Sequence, residues 1–252
     1  MQPCTFIFVN DTMKNRTYIG CSGYYYSYWK NRFYPKTIPA KDWLHYYSTI
    51  FNTVELNGTF YRTPKLFALK RYAAATPKDF RFSVKMSKYI THNLKLKDSK
   101  KSINDFQDLI YEGLENKLQH CLFQLPPSFH YTEENLDRII SNIPHKPENV
   151  VELRHVSWWN DEVAKAFKKA KLTFCNVDFP GLKTYFITTT DRFYLRLHGN
   201  PELFKSSYSD KELKKLKAQF PEQCKTKSIY FNNTYYEAGY ENAQTLIKLM
   251  KK

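Results

Sequence analysis

The stretch FYLRLHGN, residues 193–200, decides how the rest of the chain is interpreted. Every second residue is apolar, and the residues between are a tyrosine, an arginine and a histidine. This period of two indicates a β-strand. A half-solvated strand of an antiparallel sheet gives this alternation, and so does a strand whose polar face lines a pocket. The other predicted elements distinguish the two.

Seven further short runs of apolar or β-branched residues bring the number of predicted strands to eight. They are TYIGCS (17–22), FNTVELN (51–57), RFSVKMS (81–87), HCLFQLP (120–126), NVVELRH (149–155), LTFCNVD (172–178) and SIYFNNT (228–234). Segments with helical spacing separate most of them. The predicted helices are 40–50, 64–75, 99–119, 132–143, 160–171, 209–220 and 239–252.

Strands that alternate with helices predict a parallel sheet with helical crossovers. Eight such units in 252 residues match an α/β fold of the TIM type, a (β/α)8 barrel. The sixth crossover, FPGLKTYFITTTD (179–191), is too short for a full helix, so its helix is predicted to be short or missing. We expect one domain over 1–252, with 1–16 as an N-terminal appendage. A doubly wound open sheet is the alternative, but no G-x-G-x-x-G follows a strand.

Composition limits the partners and the compartment. The formal net charge of +15 favours a polyanionic partner, although lysine-rich helix surfaces give the same charge. No apolar run approaches the roughly 20 residues of a membrane span, and the first fifteen residues make a poor secretory signal. We therefore expect a cytoplasmic protein. The five cysteines form no C-x-x-C pair, which predicts free thiols.

Polar side chains gather where the predicted strands end. In a barrel these ends meet at one mouth, and residues two apart on a strand share a face. Glu152 with Arg154, and Arg196 with His198, therefore point the same way, and burying such charges unpaired costs several kcal/mol per ion. The polar face of FYLRLHGN (193–200) is thus predicted to line a pocket. The strand-end side chains are Ser22, Glu55, Asn57, Lys85, Gln124, Glu152, Arg154, His155, Asp178, Arg196, His198 and Asn232.

Two roles are assigned within this set and its flanking loops. The predicted catalytic residues are Glu55, Lys85, Glu152, Asp178 and His198. The predicted substrate-binding residues are Ser22, Asn57, Tyr61, Arg62, His92, Gln124, Arg154, His155, Arg196 and Asn232. For Lys85 we expect a salt bridge to Glu55 or Glu152, with a Schiff-base nucleophile as the alternative if burial lowers its pKa. Loss of Arg196 is expected to weaken anion binding more than folding.

The chain resembles the YecE-like family, a bacterial and archaeal domain of unknown function with a TIM-barrel fold. The resemblance runs from about Tyr18 to Leu246. Its motifs include FNTVELNGTFYRTP (51–64), VVELRHVSWW (150–159) and YFNNTYYEAGYENA (230–243). Tyr24 and Gly58 depart from the family pattern without removing an ionisable group. The resemblance implies the fold and leaves the reaction open.

The leading functional interpretation is an enzyme that acts on a phosphate-bearing or other anionic substrate at the barrel mouth. A nucleic acid would fit the charge and the aromatic loops 24–29 and 59–62, with phosphodiester hydrolysis like that of barrel nucleases. The alternatives are an isomerase, aldolase or lyase acting on a small phosphorylated sugar, and a non-catalytic protein that binds an anion or nucleic acid. A divalent metal is a further option, with His92, His155 and His198 near acidic residues. The sequence assigns neither a cofactor nor an oligomeric state.

Overall fold

Eight parallel strands form a nearly closed barrel in a computed structural model that describes residues 16–182 and 185–251. The strands are β1 (Arg16–Cys21), β2 (Thr53–Leu56), β3 (Arg81–Lys85), β4 (Leu118–Gln124), β5 (Asn149–Glu152), β6 (Thr173–Asp178), β7 (Arg192–Leu197) and β8 (Thr226–Phe231). They are hydrogen-bonded in the order β1-β8-β7-β6-β5-β4-β3-β2. The predicted TIM-type barrel is confirmed.

Helices connect the strands. They are α1 (Trp43–Ile50), the single turn α2 (Gly58–Tyr61), α3 (Leu66–Ala74), α4 (Lys100–Leu114), α5 (Glu133–Asn142), α6 (Asp161–Lys169), α7 (Asp210–Lys217) and α8 (Ala238–Met250). Helix α7 begins with a capping box, in which Ser209 and Glu212 bond each other's backbone N–H groups. Such caps satisfy backbone donors that a helix leaves unpaired at its start.

The sixth crossover contains no helix in its described parts, 179–182 and 185–191, as predicted. The side chain of Asn176 bonds the backbone of this crossover in place of a helix or strand. Its Oδ1 accepts a hydrogen bond from Ile187 N at 2.8 Å, and its Nδ2 donates to Ile187 O at 3.0 Å. This amide holds the returning chain against β6, because it satisfies two backbone groups that would otherwise be buried unpaired.

Side chains complete the closure between β1 and β2. The backbone of Ser22 bridges that of Glu55, and the hydroxyl of Tyr47 accepts from Cys21 N and donates to Thr53 O. The strands approach closely here because position 20 is glycine. A Cβ at Gly20 would lie 2.1 Å from Thr53 O. The tightest point of the barrel wall therefore depends on a residue without a side chain.

Several further predictions concern single regions. No helix in the described residues is long and apolar enough to cross a membrane. Cys21, Cys121, Cys175 and Cys224 are free thiols, and Cys4 lies outside the described residues. The proposed appendage 1–16 also lies outside them except for Arg16, which is the first residue of β1. The assignment of the whole chain to one domain stays a prediction.

Replacing Gly20 by alanine should destabilise the barrel. The added methyl group would overlap Thr53 O and approach the Tyr47 hydroxyl, so β1 and β2 must separate. Overpacking of this kind costs about 1–3 kcal/mol or more in the free energy of unfolding. Urea unfolding followed by circular dichroism measures it. Gly58→Ala is the matched control, since nothing lies within 4 Å of a Cβ built there. Equal midpoints for the two variants would contradict this account of closure.

Candidate active site

A buried ion network crosses the mouth of the barrel. Arg196, on β7, donates from Nη2 to Glu55 Oε1 on β2 at 2.7 Å and from Nη1 to Glu152 Oε2 on β5 at 2.5 Å. All three side chains are at most 1% exposed. A guanidinium is suited to this position because its planar fork bonds two carboxylates at once. The network ties together three strands that are not neighbours in the sheet.

Two further side chains occupy the remaining carboxylate oxygens. Tyr194 donates its hydroxyl hydrogen to Glu55 Oε2 at 2.6 Å, and Arg154 Nε donates to Glu152 Oε1 at 2.6 Å. Burial alone would raise the pKa of Glu152, but Arg154 and Arg196 outweigh it and hold that pKa well below its usual range. Glu152 is therefore a carboxylate at neutral pH.

His198 is held as a neutral imidazole beside this network. Asn232 Nδ2 donates to His198 Nδ1 at 2.9 Å, so the ring proton is on Nε2, which lies 3.6 Å from Glu152 Oε1. Burial, followed by the charge of Arg196, lowers the pKa of His198 well below its ordinary value. Its Nε2–H has no hydrogen-bond partner among the described residues. It is thus a buried donor left without a partner in the described structure.

Lys85, the last residue of β3, is the one whose surroundings differ most from expectation. Its ammonium nitrogen lies 4.0 Å from the centre of the Phe60 ring and forms no ion pair or hydrogen bond within 16–182 and 185–251. The expected salt bridge to Glu55 or Glu152 is therefore wrong, because other groups already occupy those carboxylate oxygens. Burial, followed by the charge of Arg196, lowers the pKa of Lys85 to about 7.

His92 lies beside Phe60 on the same side of the mouth, with 4.9 Å between ring centres. Gln124 Nε2 approaches His92 Nε2 at 3.3 Å, and Thr91 Oγ1 lies 3.0 Å from its Nδ1. The amide can only donate, so Nε2 accepts and the ring proton is on Nδ1. Burial, followed by the charges of Lys85 and Arg154, lowers the pKa of His92 to about 4. It is neutral near pH 7.

A cavity of about 390 Å³ lies beside this network. Glu55, Glu152, Tyr194 and His198 do not line it. Its lining residues are Asn57, Phe60, Tyr61, Lys85, Lys88, His92, Gln124, Arg154, Arg196, Phe204 and Asn232. Nine buried polar side-chain atoms have no partner in the described structure. Five of them are at this end of the barrel: Ser22 Oγ, Asn57 Oδ1, Arg196 Nε, His198 Nε2 and Asn233 Oδ1. Unsatisfied buried groups are uncommon in native proteins, and several at one end of a barrel indicate a ligand site.

Other sequence-predicted residues lie apart from this cluster. Asp178 accepts hydrogen bonds from Tyr208 Oη at 2.7 Å and from Asn200 Nδ2 at 3.2 Å, and it does not line the cavity. His155 stacks on His130 with ring centres 3.9 Å apart. Arg62 is exposed and lines a second, larger groove of about 1030 Å³ beside the cavity. Tyr61 is 81% exposed and lines both.

Sequence reasoning did not assign Phe60, Tyr194, Lys88 or Phe204 to the site. Tyr194 could have been found, since it lies two residues before Arg196 and so shares its strand face. Phe60 belongs to the aromatic loop 59–62, but no sequence signal separates a ring turned inward from one turned outward. The described residues contain no group of three or more His, Cys, Asp or Glu side chains placed to hold a metal. The suggested involvement of His92, His155 and His198 in a metal site therefore gains no support.

The fold and the mouth cluster define a TIM-barrel protein with a charged, largely buried pocket. A family model described as "Protein of unknown function DUF72" matches residues 18–252, and the chain belongs to this family. It is 26% identical over 271 residues to the UPF0759 protein YunF of Bacillus subtilis (strain 168), a match that covers 92% of this chain and 94% of YunF.

Solved structures agree with the fold. The chain superimposes with a TM-score of 0.84 on a crystal structure of a DUF72 family protein from Thermotoga maritima MSB8. The two are 31% identical, and the match covers 94% of this chain and 99% of that one. A DUF72 family protein from Enterococcus faecalis V583 gives a TM-score of 0.76 at 20% identity, covering 95% of this chain and 99% of that one, and shows the fold alone.

Arg196→Met should destabilise the protein strongly. The sequence suggested that its loss would affect binding more than folding, but both of its Nη groups are committed to Glu55 and Glu152. Removing the shared cation leaves two buried carboxylates short of a partner, which costs about 3–5 kcal/mol. Chemical unfolding near pH 7 measures the loss. The control is Arg192→Met on the same strand, whose partner Glu148 is 44% exposed. A similar loss for both variants would contradict the network's importance.

Lys85→Met should stabilise the protein below pH 7. The pKa of Lys85 is about 7 when folded and near 10.5 when unfolded, so the unfolded state binds more protons between these values. Wild-type stability should therefore rise with pH from about 7 to 10.5 relative to Lys85→Met. We expect the variant to gain about 2–4 kcal/mol at pH 6 and to lose this advantage toward pH 10. Unfolding at several pH values tests this, with Lys88→Met as control. An advantage independent of pH would contradict the lowered pKa.

Proposed function

We propose that the protein is an enzyme whose Lys85 amine forms an imine with the carbonyl group of an anionic substrate. The observation that carries this proposal is a buried amine with a pKa of about 7, unpaired among the described residues, in a cavity at the carboxyl end of the barrel. An ordinary lysine is almost wholly protonated at neutral pH and is a poor nucleophile. At a pKa near 7, about half of the Lys85 side chains carry a free lone pair.

The covalent step uses the amine alone. Lys85 Nζ attacks the carbonyl carbon, the carbonyl oxygen gains a proton, and the amine loses one to give a carbinolamine. A proton taken up from solvent converts the carbinolamine hydroxyl group into water, which leaves with the former carbonyl oxygen and gives a protonated imine. This cation accepts electrons from a neighbouring C–C or C–H bond, which is the chemistry of an aldolase, a lyase or an isomerase. Among the functions considered from the sequence, the proposal therefore favours an isomerase, aldolase or lyase.

Neighbouring groups suit the remaining tasks. Arg154 bonds Glu152 through Nε only, and its two Nη groups have no hydrogen-bond partner among the described residues, so they are available to a carboxylate or phosphate. His198 does not line the cavity; its neutral ring lies 3.6 Å from Glu152 Oε1 and adds no positive charge to the network. His92, with a pKa of about 4, is also neutral and adds no competing positive charge beside the amine.

The other candidate functions rest on less. Phosphodiester hydrolysis of the barrel-nuclease type uses several clustered metal ligands, and the described residues assemble no such group. A purely binding role accounts for Arg154 but leaves the lowered pKa of Lys85 without a use. Membership of the YecE-like branch of the family and a cytoplasmic location stay predictions from the sequence.

Pyridoxal 5′-phosphate is a suitable probe because it combines an aldehyde with a phosphate. We expect borohydride reduction of the mixture to attach the probe at Lys85, located by peptide mass spectrometry. The rate of modification should rise with a midpoint near pH 7, since the neutral amine reacts. Lys85→Met should lose the fast modification, and Lys88→Met, an exposed lysine on the same cavity, should keep it.

Modification spread over surface lysines, with Lys85 no faster than the others, would overturn the proposal. So would a fast reaction at Lys85 that is unchanged in Arg154→Met at low phosphate-probe concentration, because the anion-binding part would then be missing.

A further inference from the structure

Exposed aromatic side chains are concentrated on one face of this protein. Ten large apolar or aromatic residues are exposed in the described part of the chain. Eight of them lie on the loops that leave the carboxyl ends of the strands, or in the first turn of the following helix: Tyr25, Tyr61, Phe67, Tyr89, Val156, Phe204, Tyr235 and Tyr236. The exceptions are Tyr111 in α4 and Tyr185, which lies two residues before Ile187 in the part of the sixth crossover that returns beside β6. Clustered exposed aromatics mark a binding surface more often than isolated ones do.

Positive charge is concentrated on part of the same face. The loops after β1, β2 and β3, residues 22–42, 57–65 and 86–99, contain nine lysine or arginine residues and only two acidic residues. Arg62, Lys65 and Arg71 form no ion pair with any described residue. This sector therefore attracts anions, unlike the lysine-rich helices, whose charges lie beside acidic residues.

The groove of about 1030 Å³ runs through this sector. Its described lining contains Tyr25, Tyr61, Arg62, Phe67 and Arg71 and no aspartate or glutamate. A smaller groove of about 550 Å³, which Tyr61 and Arg62 also line, contains Lys88, Tyr89 and Asp105 in its lining. The large groove and the Lys85 cavity share lining residues, so the two adjoin.

We propose that the loops after β1, β2 and β3 form a binding surface for single-stranded nucleic acid. Exposed planar rings alternate there with unpaired cations, and a single strand presents unpaired base faces alternating with phosphates. Stacking of a base on an aromatic ring contributes about 1–3 kcal/mol, and each neutralised phosphate adds a salt-dependent term. A polyanion without bases would bind the cations and leave the rings of Tyr61 and Phe67 without a stacking partner. This proposal does not depend on imine formation at Lys85.

The test is fluorescence anisotropy with labelled oligo(dT) and oligo(U) of about 20 nucleotides, at several salt concentrations between about 50 and 200 mM. We expect Tyr61→Ala and Phe67→Ala each to weaken binding about 5- to 100-fold, the range for loss of one stacked base. Tyr111→Ala removes an equally exposed tyrosine from α4 and should bind as the wild type does.

Charge variants separate the electrostatic part. Arg62→Ser and Lys65→Ser should each reduce the slope of log affinity against log salt by roughly 0.7, the value for one phosphate contact on a single strand. Lys211→Ser, on α7, should leave that slope unchanged. Lys85→Met should bind oligonucleotides normally, so failure of the imine proposal and failure of this one give different results.

Three outcomes would overturn the proposal. One is the absence of binding at about 50 mM salt. Another is binding to heparin or to duplex DNA as tight as that to the single strand, with Tyr61→Ala and Phe67→Ala unaffected, which would indicate a surface for polyanions in general. The third is an equal loss of affinity in Tyr111→Ala, which would show that stacking on this face is not the cause.

Discussion

The shared guanidinium of Arg196 is the interaction on which the site depends. It joins Glu55 and Glu152, two carboxylates with no exposure to water. Strands β2 and β7 lie far apart in the order of the sheet and approach each other only when the sheet closes on itself. Glu55 and Glu152 therefore reach their shared partner Arg196 only when the barrel has formed. Closure of the barrel and neutralisation of Glu55 and Glu152 are therefore coupled. Burying either carboxylate without its cationic partner would cost several kcal/mol of desolvation free energy.

That arrangement explains why Lys85 is left without a carboxylate. The four carboxylate oxygens of Glu55 and Glu152 accept hydrogen bonds from Arg196, Tyr194 and Arg154. The two arginines already balance the two negative charges. Lys85 is the excess cation, and the nearest compensation is the face of the Phe60 ring. A protonated amine is unfavourable there and a neutral one is not. The protein gives up stability at this point, a pattern common where a group must be reactive.

The strands could be predicted to within a few residues because burial on both faces leaves an unmistakable run of apolar and β-branched residues. The pocket itself followed from the period of two, which correctly oriented Arg154 relative to Glu152. The contacts made by side chains in loops could not be predicted from this pattern. Asp178 bonds to Tyr208 in another loop, and His155 turns onto His130, because side-chain direction after a strand is set by loop geometry. The helical pattern of α1 likewise hides the role of Tyr47 in closure.

The groove and the cavity adjoin at three shared residues. Asn57, Tyr61 and Asn232 line both, and Tyr61 is 81% exposed. At about 390 Å³ the cavity is near the lower limit for small-ligand sites, whereas the groove of about 1030 Å³ is at their upper limit. The cavity therefore suits a small substrate with a carbonyl group, and the groove a larger ligand. The two proposals thus concern adjoining parts of one surface and both call for phosphate groups, while the residues that test each of them are different.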